Sequence, residues 1–477
     1  MSDGPRLGTK VRALRRREEL TQKELAARLE ISPSYLNLIE HNHRPLTAPL
    51  LIKLAQLFQI DITTFATDDD RRLVEDLIEV FGDPVFDDPD FTTKDLGEFA
   101  GTHPDMARAV VKLYGTWLRG RGGGESPDDS QAGDDDPRGF TMGRLPSEEV
   151  SDLIQDRMNY FPDLEAAAER LWGDGRLDST DLYGSLVAWL EDAHKVQVEV
   201  RPVGSMHGAV RRFDPRRRTL HLSRVLAPRS MNFQLAHQVG LLGCADILER
   251  LSKNQILSSA GSRELARVAL ANYFAGAVLM PYQEFKDHAE ATRWDVELLG
   301  HHFRTSFEQV CHRMTTLRRP GQEGLPWHLV RVDIAGNISK HFSATGIRFP
   351  RFGAGCPLWN VYRAFQHPDR IRVQLSQMPD GNEFFCIART IRRGEGGFKA
   401  AHTVHAIGMG VALEHADQLV YSEGVDLAHP ARIVPIGVTC RLCPRELCEQ
   451  RAFPQTGTPL KVDPNVRGRS PFVGPRR

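Results

Sequence analysis

The chain has 477 residues, 41% of them hydrophobic and 26% charged, proportions that exclude collagen-like, fully disordered and membrane-embedded classes. At roughly 150 residues per domain, the length implies about three domains. Basic and acidic residues nearly cancel, 61 against 62, so charge is informative only in its distribution along the chain. No apolar stretch of signal-peptide length follows the N-terminal arginines, and the expectation is a cytosolic protein that does not contact membranes.

The chain opens on a basic arm, with Arg6, Lys10, Arg12, Arg15, Arg16 and Arg17 against Asp3. Thr21-Gln22-Lys23-Glu24 then forms a capping box, in which Thr21 accepts from the amide of Glu24 while Glu24 reaches back to that of Thr21. A helix follows whose buried face is Leu25, Ala26 and Leu29, and Glu30-Ile31 makes the turn. Ser32 as N-cap and Pro33 at the first helical position begin a second helix, buried through Leu36 and Ile39. A third apolar helix, with Leu50, Leu51, Leu54, Ala55, Leu57 and Phe58, completes an all-α helix-turn-helix domain over residues 1–66.

Ser34, Tyr35 and Asn37 project from the second helix with side chains able to meet base edges, and Gln22 stands at an N-terminus that attracts phosphate. With Ser32, and with Arg44 and the arm to neutralise phosphates, these are the expected contacts to double-stranded DNA. One short helix contacts too few base pairs to select a genomic site, so a homodimer on a palindromic operator is expected. Thr21 to Ala26 and Ser34 to Glu40 closely resemble the Xre family of helix-turn-helix regulators.

A helical connector is expected over 67–119. Residues 120–145, rich in Gly, Asp, Ser and Pro, have too few apolar groups to offset the entropy of ordering and are read as an acidic flexible linker. From Pro146 the pattern is helical to Ala193. It turns to strands at Val196–Val200 and Thr219–Leu222, and is helical again from Ser230 to about Leu317. In that stretch Leu298, Leu299, Phe303, Phe307, Val310 and Met314 are expected to form a core stripe. Beyond residue 321, strands are expected at Leu329–Ile334, Ile371–Leu375, Phe384–Ile391 and His402–Ile407, with Asp380-Gly381-Asn382 as a turn and a frayed tail after Pro454. The fold class is therefore multidomain α+β: a helix-turn-helix head, the connector and linker, an α+β middle domain over 146–320 and an α+β C-terminal domain over 321–477.

Residues 230–281 resemble the ImmA/IrrE family of zinc metallopeptidase-like domains. Its active members need HExxH, two histidines for zinc and a glutamate to activate water. Only His237 remains here: Gln238 stands at the base position, Leu241 at the second histidine, and Leu270 where the acidic third ligand is expected. One imidazole does not make a zinc site, so His237 is read as a packed, hydrogen-bonded histidine and the chain as no enzyme. A DNA-targeted regulatory metallopeptidase is the alternative.

Cys440, Cys443 and Cys448 give CxxCx4C, three of the seven cysteines within nine positions. That spacing suits a [4Fe-4S] cluster or, alternatively, zinc, with a fourth ligand from elsewhere. Cys356, in a glycine-rich segment, is the favoured fourth ligand over Cys244, Cys311, Cys386, His405 and His415. Cys386 alternates within an apolar strand, and Cys244 and Cys311 lie on helices, so all three are read as core. Gly408-Met409-Gly410 lacks the third glycine of a dinucleotide loop.

Taken together, the head, the peptidase-like centre and Gly437–Pro454 resemble the short-chain fatty acyl-CoA regulator family over nearly the whole chain. The resemblance implies a transcription factor of acetate, propionate or glyoxylate-shunt genes that senses a short acyl-CoA effector and holds a [4Fe-4S] cluster. Arg348, Arg351, Arg363, Arg392 and Arg393 are candidates for the phosphates of such a ligand.

Overall fold

The computed structural model describes residues 11, 12, 15, 20–40, 44, 50, 53, 54, 57, 58, 73, 74, 76, 77, 80, 81, 86, 93–121, 145–174, 176–350, 355–394, 402–427, 432–441 and 443–455. Of the linker expected over 120–145, residues 122–144 lie outside them, as do Leu51, Ala55, Arg351 and the tail from residue 456, while 120 and 121 belong to a helix. The chain divides into two compact units, Gly143–Thr439 and a second comprising Met1–Met142 with Cys440–Arg477.

In the second of these units, α1 (Gln22–Leu29) begins at the expected capping box, with the Thr21 and Glu24 side chains each satisfying the other residue's amide. Glu30 ends it in a left-handed conformation, φ 59°, which turns the chain in one residue. Ser32 Oγ accepts from the amide of Tyr35 at 3.1 Å and so caps α2 (Pro33–Glu40). Leu25, Ala26, Leu29, Leu36, Ile39, Leu50 and Leu54 form one buried cluster, as the periodicity implies. Helices α3 (Thr93–Thr102) and α4 (Pro104–Arg121) follow, with Ala100 and Ala107 buried against Leu73 and Leu77.

The Gly143–Thr439 unit starts with α5 (Pro146–Asp156), α6 (Pro162–Gly173) and α7 (Leu182–His194). Then come β1 (Gln197–Arg201), β2 (Arg211–Asp214) and β3 (Thr219–Ser223), in the order β1-β3-β2 with β1 parallel to β3. Helix α8 (Pro228–Gly243), which carries His237, is followed by α9 (Ala245–Ser252) and packs on α10 (Ala260–Leu279). The approach is close enough that a Cβ on Gly240 would lie 2.7 Å from the Phe274 ring. Three short helices complete the helical layer: α11 (Tyr282–Ala291), α12 (Val296–His302) and α13 (Phe307–Thr315).

A six-stranded sheet follows, built from β4 (His328–Asp333), β5 (Ile338–Ser343), β6 (Arg372–Gln377), β7 (Glu383–Arg393), β8 (Thr403–Ala412) and β9 (Ile433–Pro435) in the order β5-β4-β8-β7-β6-β9. A short helix, α14 (Asn360–Arg363), lies between β5 and β6 in sequence. One face of the sheet joins the helical layer, and a single buried cluster holds Phe285, Val310 and Met314 together with Leu329, Phe385 and Met409. The other face carries Cys356, Trp359, Val361 and Cys386. Leu298 departs from the expected core stripe, being 55% exposed, because it sits about 100° around a short helix from Leu299, which takes the buried position.

Candidate nucleic-acid interface and sensor sites

On the head, Ser34 and Asn37 are exposed and Tyr35 is half-buried, while Leu36 and Ile39 of the same helix are in the core. Gln22 is not an isolated side chain. Its Nε2 donates to Glu40 Oε2 at 2.8 Å and to Asn37 Oδ1 at 3.3 Å, joining the start of α1 to the exposed face of α2. Glu40 is buried and also accepts from Arg15, at 2.7 Å from Nε and 3.1 Å from a terminal nitrogen. Arg15 is thus a correction to the basic arm: its charge is committed to Glu40 and its third bond to the Leu20 carbonyl, which leaves it structural. Arg44 is exposed and Arg12 is half-buried, while Arg6, Lys10, Arg16 and Arg17 lie outside the described residues.

At the peptidase-like position the cation is a guanidinium. Arg211 reaches from β2 to His237 Nδ1 at 2.6 Å and to Gln238 Oε1 at 3.2 Å. His237 Nδ1 accepts that bond, and the Val268 backbone takes a further hydrogen bond from the ring, so the imidazole is engaged on both sides. Burial, with Arg211 beside it, lowers the pKa of His237 to about 4 and keeps it neutral. Leu270 is buried and Leu241 half-buried, both as apolar packing.

Cys440, Cys443 and Cys448 are half-buried on a loop folded around Arg451. That buried guanidinium donates to the carbonyls of Cys440 (2.7 Å), Cys443 (2.7 Å) and Arg445 (2.8 Å). Sequence reasoning gave Arg451 no such role. Among the described residues, the three sulfurs do not gather within 4.8 Å of one another. A single tetrahedral zinc would hold them roughly 3.8 Å apart, given Zn–S bonds of about 2.3 Å. A cubane cluster bonds each thiolate to a different iron and keeps the thiolates wider.

None of the seven cysteines is in a disulfide. Cys356 is buried in the sheet's outer core beside Trp359. Cys244, Cys311 and Cys386 are buried as expected; burial raises the Cys244 thiol to about 11 and that of Cys386 to about 12.

A small, half-open cleft lies on the sheet's outer face, lined by Val330, Phe349, Trp359 and Val361, with His328, Gln374 and Ser376 as polar members. Gly408 and Gly410 of β8 leave space for the residues around it: a Cβ on Gly410 would meet the His328 ring at 2.5 Å, and one on Gly408, which lines the cavity, would crowd Val361 at 3.3 Å. His328 Nδ1 lies 3.0 Å from Thr345 Oγ1, and burial lowers its pKa to about 3. Gln374 accepts from the Asn360 amide and donates to the Leu358 carbonyl, which fixes the segment before α14. Of the arginines expected to meet phosphates, Arg348 is half-buried between two lining residues in sequence, Ile347 and Phe349; Arg363 and Arg392 are exposed. The Arg393 side chain lies outside the described residues.

Three family models match in succession: a helix-turn-helix over residues 11–65, an IrrE N-terminal-like domain over 191–315, and the short-chain fatty acyl coenzyme A regulator C-terminal domain over 316–472. The HTH-type transcriptional regulator RamB of Mycobacterium tuberculosis is 40% identical over 472 residues, covering 98% of each chain. The chain belongs to the short-chain fatty acyl-CoA regulators. Within this regulator family, PrpR of M. tuberculosis is 39% identical, covering 98% of this chain and 95% of its own. A propionyl-CoA carboxylase regulator of Cereibacter sphaeroides is 40% identical, covering 98% of each chain. A solved M. tuberculosis transcriptional regulator superposes with a TM-score of 0.65 at 42% identity, covering 69% of this chain and all of that one. The helix-turn-helix head and the α+β middle and C-terminal regions are thus those of a regulator family. Among the described residues, no helix is long and apolar enough to cross a membrane.

Proposed function

We propose that this chain is a dimeric, sequence-specific DNA-binding regulator of short-chain fatty acid metabolism whose C-terminal region answers to a short acyl-CoA. The observation that carries the reading is a capped recognition helix, exposing Ser34 and Asn37, in the same chain as the regulator-family C-terminal domain. Gln22, Ser34, Tyr35 and Asn37 read base edges or adjoining phosphate, and Arg44 neutralises backbone charge. Ser32 acts indirectly, by holding the N-terminal turn of α2.

For the effector, the cavity beside His328 has the apolar wall and few polar groups that a two- or three-carbon acyl tail needs, and Arg348 and Arg363 are the cations for its phosphates. Cys440, Cys443 and Cys448 would hold an iron–sulfur cluster, with Cys356 the fourth thiolate expected from the sequence. The CxxCx4C spacing supports this reading, and Arg451 ties together the backbone of the loop that carries it. Such a cluster supplies a redox- or oxygen-sensitive brace for the loop. Arg211, seated on the His237 lone pair, favours the regulator over the metallopeptidase reading.

The test is a titration of full-length protein against its own promoter and a random duplex, with and without acetyl-CoA and propionyl-CoA. A promoter preference that shifts with thioester supports the reading; equal affinity for both duplexes under every condition sinks it. For the cluster, protein purified without oxygen should be brown and should lose its colour in Cys443→Ala. Colourless wild-type protein with stoichiometric zinc would reject iron.

A further inference from the structure

Glu284 and His288 lie one helical turn apart on α11, and His302 is the last residue of α12. One ligand atom from each lies within 4.8 Å of the other two, and among the described residues no other such group of three is found. From this we infer that Glu284, His288 and His302 bind a divalent transition-metal ion of the zinc class. The site is built from helices other than α8, which carries His237, and uses none of the cysteines.

Three features distinguish this cluster from a chance meeting of surface polar groups. His288 Nδ1 lies 2.9 Å from the Glu284 carbonyl, so it carries the proton and donates it there, which leaves Nε2 with its lone pair free for a metal. A ring nitrogen tied to a backbone carbonyl is the usual support of a metal-ligating histidine. The two imidazoles are held together, with ring centroids 3.9 Å apart, and the Phe303 ring packs edge-on against both, at 5.7 Å from His288 and 4.7 Å from His302. Phe303 in turn rests on fully buried Phe285, 5.4 Å away, so the histidines stand on a fixed floor. Finally, Glu284 Oε1 is 3.8 Å from His302 Nε2, close enough for one ion to take both.

The donor set selects the metal. Two imidazoles and one carboxylate suit zinc, copper or nickel, whereas magnesium and calcium prefer oxygen alone. Three protein ligands leave the fourth tetrahedral position to solvent. A bound ion would pin the last turn of α11 to the end of α12. It would therefore stabilise the folded unit by an amount that rises with the logarithm of free metal above the dissociation constant.

Isothermal titration of zinc chloride into chelator-stripped, full-length protein, with magnesium in excess, tests the site. Wild type and His301→Ala, an exposed neighbour outside the cluster, should bind this equivalent alike. His288→Ala and His302→Ala should lose it or weaken roughly a hundredfold, the upper range seen when even outer partners of a metal are removed. Should the C-terminal thiols also take up metal, cobalt identifies which equivalent is lost: any thiolate-to-cobalt band seen in wild type should persist in both variants. Zinc should also raise the melting temperature of wild type more than that of His288→Ala. Unchanged stoichiometry and affinity in His288→Ala and His302→Ala, an equal loss in His301→Ala, or a thermal shift as large in His288→Ala as in wild type would each overturn the proposal.

Discussion

Asn37 and Arg44 both face solvent, yet their chemistry separates the roles proposed for them on DNA. An amide at the exposed face of a recognition helix discriminates bases by paired hydrogen bonds, whereas a guanidinium on the loop beyond acts on phosphate and carries no sequence information. Asn37→Ala should therefore cost about 1–3 kcal/mol on the cognate site and relax selection at one position, leaving affinity for random duplex intact. Arg44→Ala should weaken all duplexes together and reduce the slope of log affinity against log salt by about one. Anisotropy titrations at several salt concentrations read both. Buried histidines make a second prediction at this scale. His328 is held neutral, with its pKa near 3, against about 6.5 in an unfolded chain. Between those values the unfolded state binds a proton that the folded state does not. Stability contributed by neutral His328 is thus complete above pH 7 and falls, as pH drops from 6.5 towards 3, by about 1.4 kcal/mol per unit. His328→Gln should flatten the pH dependence of urea unfolding in that window, followed by the fluorescence of Trp172, Trp189, Trp294, Trp327 and Trp359. An undiminished slope would mean that the ring titrates in the folded state.

Among the elements, the joint between α6, α10 and α13 rests on one ion pair that nothing in the sequence announces. Arg313 makes a two-pronged bond to Glu165, at 2.5 and 3.0 Å, with both side chains 1% exposed, and Tyr273 Oη donates to the same carboxylate at 2.6 Å. Removing one partner strands the other charge in the core. Arg313→Met should therefore destabilise the unit by about 3–5 kcal/mol, while Glu165→Leu combined with Arg313→Met should recover most of that loss. Denaturant midpoints of the single and double variants check this; equal losses in both would mean that packing rather than charge dominates. The long-range partner explains why the pair is invisible in sequence: the two residues are 148 positions apart. Elements with strong local signals were legible. α1 and α2 have caps and a 3.6-residue apolar repeat, and β7 and β8 are long and β-branched or apolar. β5 was not, since Ser339, Lys340 and His341 are all exposed and it joins the sheet at an edge. Nor were β2, reading Arg-Arg-Phe-Asp, and the three-residue β9, which persist only because a neighbouring strand supplies their hydrogen bonds.

For the whole molecule, the site residues were legible where chemistry is local and illegible where it is assembled. CxxCx4C and the degenerate HExxH can be read from spacing alone. The seating of Arg211 on His237, the Arg451 hub and the Glu284–His288–His302 cluster depend on how a loop closes or how neighbouring elements turn back on one another, which spacing does not encode. A regulator with the proposed thioester response must couple its two ends energetically, and such coupling has a thermodynamic signature independent of its route. If a thioester changes operator affinity by some factor, operator DNA must change thioester affinity by the same factor. Coupling of the usual size, about 1–3 kcal/mol, corresponds to roughly 5- to 150-fold in each direction. Calorimetric titration of propionyl-CoA into free protein and into the protein–operator complex supplies one arm, and operator titration with and without saturating propionyl-CoA supplies the other. The two ratios should agree for wild type. Asn37→Ala should lower operator affinity while leaving the affinity of free protein for thioester unchanged, since Asn37 is an exposed residue of the head, outside the C-terminal region. Should operator affinity shift with thioester while thioester affinity ignores operator, the thioester would be acting through something other than this chain's own equilibrium, and the C-terminal region would not be its sensor.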